Sequence, residues 1–342
     1  MRNLASVKRI KEIKPAENSD NLNLAYVDGW QVVVRKDENY QVGDLCVYIE
    51  IDSMLPDTEP FKFLTGKKIH RLRTVKLRSN LSQGLIMPLS CIPEDYYMGG
   101  GELTEDQDVT ELLEITKYEP PFKFEQGQAK GDFPTHLVDK TDETRIQSSL
   151  KALEEFEGLP YYISVKCDGT SFTCLYMDDV FEVCSRGNRR KEDDSCVYWK
   201  VAKKYNLQEK LAEHKNWIVQ GECCGPSIQS NKLALKDHDL FVFNIYDSEQ
   251  RKFLGFWDFI KATETLGVQT VPIMEVGNAF HYELNELLGK AVGTYKGTDN
   301  QREGIVIRTQ EEGWSPTLGR RSFKVINNEF LLEQTKKNSD DE

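Results

Sequence analysis

The chain has 342 residues, 39% of them hydrophobic and 29% charged, and a formal net charge of −12 at neutral pH. That length is more than one ordinary core needs and predicts two domains, in a composition typical of soluble globular proteins. No run of eighteen apolar residues is present to span a bilayer, no apolar leader follows Met1, and the acidic total argues against nucleic-acid binding by bulk electrostatics.

Taken in order, residues 1–116 read as short strands between turns. Residues 22–27 and 30–34 are joined by Asp28-Gly29, a strong hairpin signal. Residues 44–51 are rich in strand formers, residues 71–77 alternate basic with apolar side chains, and residues 85–87 form a short apolar run stopped by Pro88. Five or so short strands in about 90 residues predict a small barrel, of which the OB fold is the usual nucleic-acid-binding example. Between Gly66 and Leu81 stand Lys67, Lys68, Arg71, Arg73, Lys76 and Arg78 with no acidic residue among them. Local phosphate contacts are thus open to an acidic protein, although each charge taken singly reads first as a solvated face.

From residue 93 to residue 134 the periodicity fades, through Gly99-Gly100-Gly101, Pro120-Pro121 and a glycine-rich stretch, which predicts a linker or peripheral excursion. Residues 143–156 have helical spacing in Ile146, Leu150, Leu153 and Phe156. Strands are then predicted at 161–166, 171–177, 180–185, 217–222, 240–246, 304–308 and 322–326. Helices fall between them at 198–205, 256–266 and 282–294, giving an α+β domain of sheets with flanking helices. A second basic group, Arg186, Arg189, Arg190 and Lys191, is followed at once by Glu192, Asp193 and Asp194.

The eight cysteines include no C-x-x-C pair, and the adjacent Cys223 and Cys224 would point to opposite faces of a strand. They read as reduced, mostly buried thiols of an intracellular, cytoplasmic protein without a structural zinc site.

Lys166-Cys167-Asp168-Gly169 follows an apolar strand and occupies a turn. A lysine there can project into a cleft, and it is a nucleophile only when neutral, so its pKa must fall, through desolvation or a nearby divalent cation. Alone, such a tetrapeptide reads as an ordinary β-turn. Downstream, in order, come Ser185-Arg186-Gly187, Val219-Gln220-Gly221-Glu222, Phe241-Val242-Phe243-Asn244-Ile245, Arg302-Glu303-Gly304-Ile305-Val306-Ile307 and Ser322-Phe323-Lys324-Val325.

In that ordered set the chain resembles the covalent nucleotidyltransferases, which comprise ATP-dependent DNA and RNA ligases and mRNA capping enzymes, over roughly residues 160–330. The resemblance implies an ATP-grasp-like ligase domain in which Lys166 attacks the ATP α-phosphorus to form a lysyl–AMP phosphoramidate. It implies Asp168, Glu303 and Lys324 as further catalytic residues and Val165, Lys166, Arg186, Glu222, Phe243 and Lys324 as the nucleotide site. Phe243 would stack on the base and Lys324 would contact the α-phosphate. Asp168, Glu222 and Glu303 would serve a Mg²⁺ or Mn²⁺ ion. The bland readings are a surface lysine, a turn cap, strand-end charges and strand core. Two departures stand out: Lys324 is single where many relatives carry two lysines, so Arg320 or Arg321 is expected to supply the second charge, and Asn244 replaces a common Asp.

Domain order narrows the family. DNA ligases and capping enzymes carry their OB domain after the last motif, whereas here about 18 residues follow Lys324 and the predicted barrel comes first. Val42-Gly43-Asp44-Leu45, Tyr48-Ile49-Glu50-Ile51-Asp52, Ser82-Gln83-Gly84-Leu85 and residues 140–147 resemble the Naegleria/Deinococcus-type RNA ligases, which have an N-terminal OB domain. The division expected is 1–116 OB-type domain, 117–150 linker and lead-in helix, 151–335 nucleotidyltransferase domain and 336–342 acidic tail. The resemblance implies sealing of RNA 3′-OH and 5′-phosphate ends, at nicks in duplexes with RNA on the 3′-OH side, by a monomer whose barrel binds RNA through Lys67 to Arg78. The alternatives are a DNA ligase, a GTP-using guanylyltransferase, or a non-catalytic tRNA- or RNA-binding OB protein. The last leaves Lys166, Asp168, Glu222, Glu303 and Lys324 with no reason to occur together.

Overall fold

The longest strand of the first unit, Ala5–Pro15, is one that hydrophobic periodicity does not reveal, because lysines or arginine at 8, 9, 11 and 14 interrupt it. It lies at the centre of a five-stranded antiparallel sheet in the order Trp30–Arg35, Leu22–Val27, Ala5–Pro15, Leu45–Ile49, Leu85–Met87. Residues 5–9 pair with the fourth strand and residues 10–15 with the second, and an irregularity between Ile10 and Glu12 marks the change of partner. Such a bulge bends and twists the strand, which lets one segment serve two sides of a barrel. The wall is completed by side chains: Gln31 Nε2 donates to Leu81 O at 2.8 Å, and the Val33 amide to Ser82 Oγ at 3.0 Å. The interior holds Ile10, Val27, Trp30, Val32, Tyr48 and Ile86. This is a nearly closed, OB-type barrel.

The computed structural model describes residues 3–118 and 129–340, with side chains to residue 336. The chain divides into one compact unit of residues 1–122 and 331–342 and a second of residues 123–330. Part of the stretch read as a linker or peripheral excursion is packed into the first unit: Val109, Leu113 and Ile115 are buried with Ile92, Val47, Ile49 and Phe61. Thr116–Lys117 pairs with Ser53–Met54. The apolar residues are spaced irregularly but supply a second core. The Pro120-Pro121 and Gly127 part of the expected linker lies outside the described residues. The end of the chain also packs with this unit, where Thr335 Oγ1 donates to Thr74 O at 2.9 Å. The expected acidic tail is helical as far as Asp340, within Asn328–Asp340. No described helix is long and apolar enough to cross a membrane.

Among its described residues the second unit contains two large, mainly antiparallel sheets and a small pair, Trp314–Ser315 with Gly319–Arg320. One runs Ala129–Asp132, Asn188–Arg190, Val180–Cys184, Thr170–Met177, Trp217–Cys224, Asp239–Asp247, Lys252–Phe253, with Gln269–Thr270 parallel to Asp239–Asp247. Helices Val197–Lys204, Leu207–Ala212 and Phe256–Leu266 cover it around Phe172, Val219, Val242 and Phe259. The other runs Thr144–Arg145, Ser322–Ile326, Gly304–Thr309, Tyr161–Lys166, Ile273–Gly277. Its covered face buries Ile163, Ile305, Phe323 and Val325 with Phe156 of helix Lys151–Phe156 and Leu287 of helix Leu284–Ala291. Cys223 packs into the core of the first sheet and Cys224 on its opposite side, as strand alternation requires, and all eight cysteines are free and buried.

One predicted helix is mostly something else. Of residues 143–156 only Lys151–Phe156 is α-helical, because Thr144 and Arg145 pair in parallel with Phe323 and Lys324 as an edge strand. Pairing to a waiting sheet edge overrides local helical spacing.

Candidate active site

Side chains alternate across a strand, so Tyr162, Ser164 and Lys166 face away from the core that holds Ile163, and so do Arg308 and Lys324 on the neighbouring strands. Lys166 ends its strand in register with Gly304, which sets Glu303 beside it. Lys166 Nζ donates to Glu303 Oε2 at 2.8 Å, and both side chains are largely shielded. Two glycines allow the chains to approach here. A Cβ at Gly169 would lie 2.4 Å from Cys223 O, and one at Gly304, where φ is +155°, would lie 2.2 Å from Val325 O. The glycines of both motifs are therefore packing requirements of the site.

Three carboxylates act on the lysine. Burial alone would lower the Lys166 ammonium, but Glu303, Glu222 and Asp168 outweigh it and hold it above the ordinary lysine value. A lysine held in this way is an ammonium, and it would become a nucleophile only if a competing positive charge took up these carboxylates. Glu222, on strand Trp217–Cys224, is pushed up to about 8, first by burial and then by the Glu303 and Asp168 carboxylates, against the pull of Lys166. A buried carboxyl beside two others is one whose charged form a bound cation would favour. Among the described residues no three His, Cys, Asp or Glu side chains come close enough together to hold a metal directly. Asp168, Glu222 and Glu303 offer the carboxylate oxygens that suit a hard divalent cation, which commonly keeps several of its waters.

On the next strand, Lys324 Nζ donates to Asp142 Oδ1 at 3.0 Å. Burial pushes this lysine down to about 8, with Arg145 and Lys166 adding to the effect and Asp142 opposing it. The second cation near Lys324 is thus Arg145, its partner in the parallel register. Neither Arg320 nor Arg321 fills that place. Arg320 bonds Glu312 and Asn244 Oδ1 and lies 3.9 Å over the Phe253 ring, while the Arg321 guanidinium packs against Gly313. Asn244 is buried and also donates to Gln220 Oε1, a structural task that an amide performs better than a carboxylate.

Arg186, in the turn after Val180–Cys184, reaches Asp142 Oδ2 at 3.3 Å and Thr141 O at 3.5 Å. Phe243 is half-buried beside Phe241, Val271 and Cys167, with the Arg308 guanidinium 5.9 Å above its ring and bonded to its carbonyl. Arg308 is itself held by Glu143 at 2.7 Å and Ser322 at 3.0 Å. Val165 is buried on the opposite face from Lys166, its amide donating to Pro272 O. The structure thus gathers Lys166, Asp168, Glu222, Glu303, Lys324 and Arg186 within one region of the second unit. It adds Asp142 and Arg145, which lie in or beside the segment read as helix and could have been found only by pairing 144–145 with 323–324.

Of the six basic residues assigned to RNA, Lys67, Lys68, Lys76 and Arg78 are exposed. Arg71 is committed to the fold, bonded to Asp52 at 2.8 Å with its guanidinium 3.6 Å over Tyr118, and Arg73 is half-buried.

Comparison with known proteins bears on this arrangement. A family model for RNA ligase matches residues 159–326, and an OB-fold domain model matches residues 4–89. Among solved structures, an RNA ligase of Naegleria gruberi with PPi is 32% identical, with a TM-score of 0.86 over 98% of this chain and 100% of that one. A mutant of that ligase with ATP and Mn matches equally, and another with AMP and Mn matches at the same identity and TM-score over 98% of this chain and 99% of its own. No curated protein matches.

Proposed function

The chain belongs to the family of ATP-dependent RNA ligases, and from that premise we propose that Lys166 takes AMP from ATP and passes it to an RNA 5′-phosphate at a nick whose 3′-OH strand is RNA. The observation that carries the reading is Lys166 Nζ, 2.8 Å from Glu303 and under the influence of Glu222 and Asp168, with the Lys324 and Arg145 cations on the strands alongside. The Naegleria ligase has been solved with ATP, with AMP and with PPi, the reactant and both parts of an adenylation. We assign the same ligands to this chain.

In the first step Lys166 gives up one proton before attack and a second as its nitrogen bonds the α-phosphorus, while the bond to the bridging oxygen breaks and pyrophosphate leaves. Glu303 is the carboxylate placed to receive a proton. Lys324 and Arg145 stabilise the charge on the α-phosphoryl oxygens, and Arg186 and Phe243 hold the rest of the nucleotide. Asp168, Glu222 and Glu303 would hold Mg²⁺ or Mn²⁺ through water, and the ion would offset phosphate charge and release the lysine from its carboxylates. AMP then passes from Lys166 to the RNA 5′-phosphate as the N–P bond breaks. Finally the 3′-OH oxygen gives up its proton and bonds the phosphorus of the RNA 5′-phosphate, whose bond to the bridging oxygen breaks as AMP leaves.

The exposed Lys67, Lys68, Lys76 and Arg78 of the barrel are assigned to the RNA backbone. We assign a monomer and place it inside the cell, where eight thiols stay reduced.

Matched nicked duplexes with ribose or deoxyribose on the 3′-OH side test the substrate. Sealing should require the ribose strand. Equal sealing of an all-DNA nick would overturn the assignment.

A further inference from the structure

Lys166 and Gly304 are the last pair of their ladder, and beyond them Asp168 N and Glu303 N have no strand to bond. A side chain supplies the next rung. Tyr295 Oη donates to Lys166 O at 2.9 Å and accepts from Asp168 N at 2.9 Å and Glu303 N at 3.1 Å. One donor and two acceptor sites are all a phenol has, and all three are used on the two motifs that carry the nucleophile and its carboxylate partner. The ring is 5% exposed, so water does not compete for these bonds.

The loop that presents Tyr295 is itself braced. The Tyr295 amide donates to Asn300 O, Thr298 Oγ1 donates to Tyr295 O, and Asn300 Nδ2 donates to Lys232 O. Arg302 bonds Ala291 O and Val292 O at the end of helix Leu284–Ala291, which fixes the other side of the loop. Burial holds the Tyr295 hydroxyl above its ordinary range, so its proton stays on oxygen.

We propose that Tyr295 is a positioning residue for lysine adenylation, its hydroxyl fixing the separation of Lys166 and Glu303 by clamping the backbone of both motifs. The inference rests on Lys166 being the adenylated residue. Without the hydroxyl the three backbone groups lose their common partner, and the lysine is free to shift relative to the α-phosphorus. Displacements on the order of 1 Å can cost about a hundredfold in rate. The residues assigned to the base and phosphates of ATP, Phe243, Arg186 and Lys324, lie on other segments, so the loss is expected in the rate of labelling.

The test compares two reactions of full-length Tyr295→Phe. Lysine labelling by ATP carrying radioactive α-phosphate uses Lys166 as nucleophile, whereas sealing of a pre-adenylylated RNA nick does not. Labelling should slow by about tenfold to a hundredfold with KM for ATP within about twofold, while sealing stays within about threefold of wild type. Labelling at the wild-type rate would overturn the proposal, and so would an equal loss of both reactions, which would mean a general structural role. Absence of label on wild type would sink the ligase reading and this one with it. Label on wild type and variant alike would sink this one alone.

Discussion

Asp142 stands between Lys324 and Arg186, one carboxylate oxygen 3.0 Å from Nζ and the other 3.3 Å from the guanidinium. These are two of the cations assigned to the nucleotide, so the protein's own carboxylate sits where a phosphate would compete. Asp142 and Arg186 are about half exposed, and ion pairs of that kind contribute only about 0–1 kcal/mol. Asp142 also supports the Lys324 charge, so the comparison belongs at pH 6, well below the Lys324 value, where Asp142→Asn should lower KM for ATP in lysine labelling by a few-fold, up to about fivefold. A raised KM would show instead that Asp142 positions the cations for ATP.

The Lys324 value of about 8 gives a pH dependence. Below it the side chain is charged and attracts phosphate; above it the charge is lost. KM for ATP should rise by up to about tenfold from pH 8 to pH 9 in wild type and stay flatter in Lys324→Arg, whose guanidinium does not titrate there. A flat wild-type profile would remove Lys324 from the phosphate contacts.

The Arg308–Glu143 pair, 2.7 Å apart, anchors the segment that carries Asp142 and Arg145. Burial acts to raise the Glu143 carboxyl, but Arg308 and Arg320 hold it below its ordinary value. A carboxyl depressed by folding contributes stability that is present above its unfolded value, near 4.5, and lost as pH falls below it. Removing one member of a buried pair typically costs about 3–5 kcal/mol. Glu143→Gln should therefore lower the melting temperature at pH 7 clearly, and by less as the wild type is taken below pH 4.5. An equal loss at both pH values would argue against the pair.

Replacing Lys67, Lys68, Lys76 and Arg78 by Gln should weaken binding of nicked RNA. Its salt dependence should flatten by up to about 0.9 in slope for each phosphate no longer neutralised. Lysine labelling should not change. Unaltered RNA binding would move the RNA site off these residues.

Much of this was legible in the sequence, for reasons that differ by element. Strand Tyr161–Lys166 and helix Phe256–Leu266 have the bounds predicted, because runs of apolar residues there end at clear turn signals. Lys166 and the carboxylates around it were marked by ordered motifs whose glycines the packing demands. Strand Ala5–Pro15 was hidden by its basic residues, and 144–145 by helical spacing that a sheet edge overrode. The cation beside Lys324 was sought at Arg320 or Arg321, close to it in sequence, yet it comes from Arg145, next to it in the sheet. Tyr295 carried no signal either, since its role lies in reaching three backbone groups that only the fold brings together.

The most direct test is incubation of wild type and Lys166→Ala with Mg²⁺ and ATP radiolabelled at the α-phosphate, resolved on a denaturing gel. A covalent lysyl–AMP at residue 166 predicts a labelled protein band in wild type and none in the variant. Folded wild type that takes up no label, or a variant that labels equally, would contradict it.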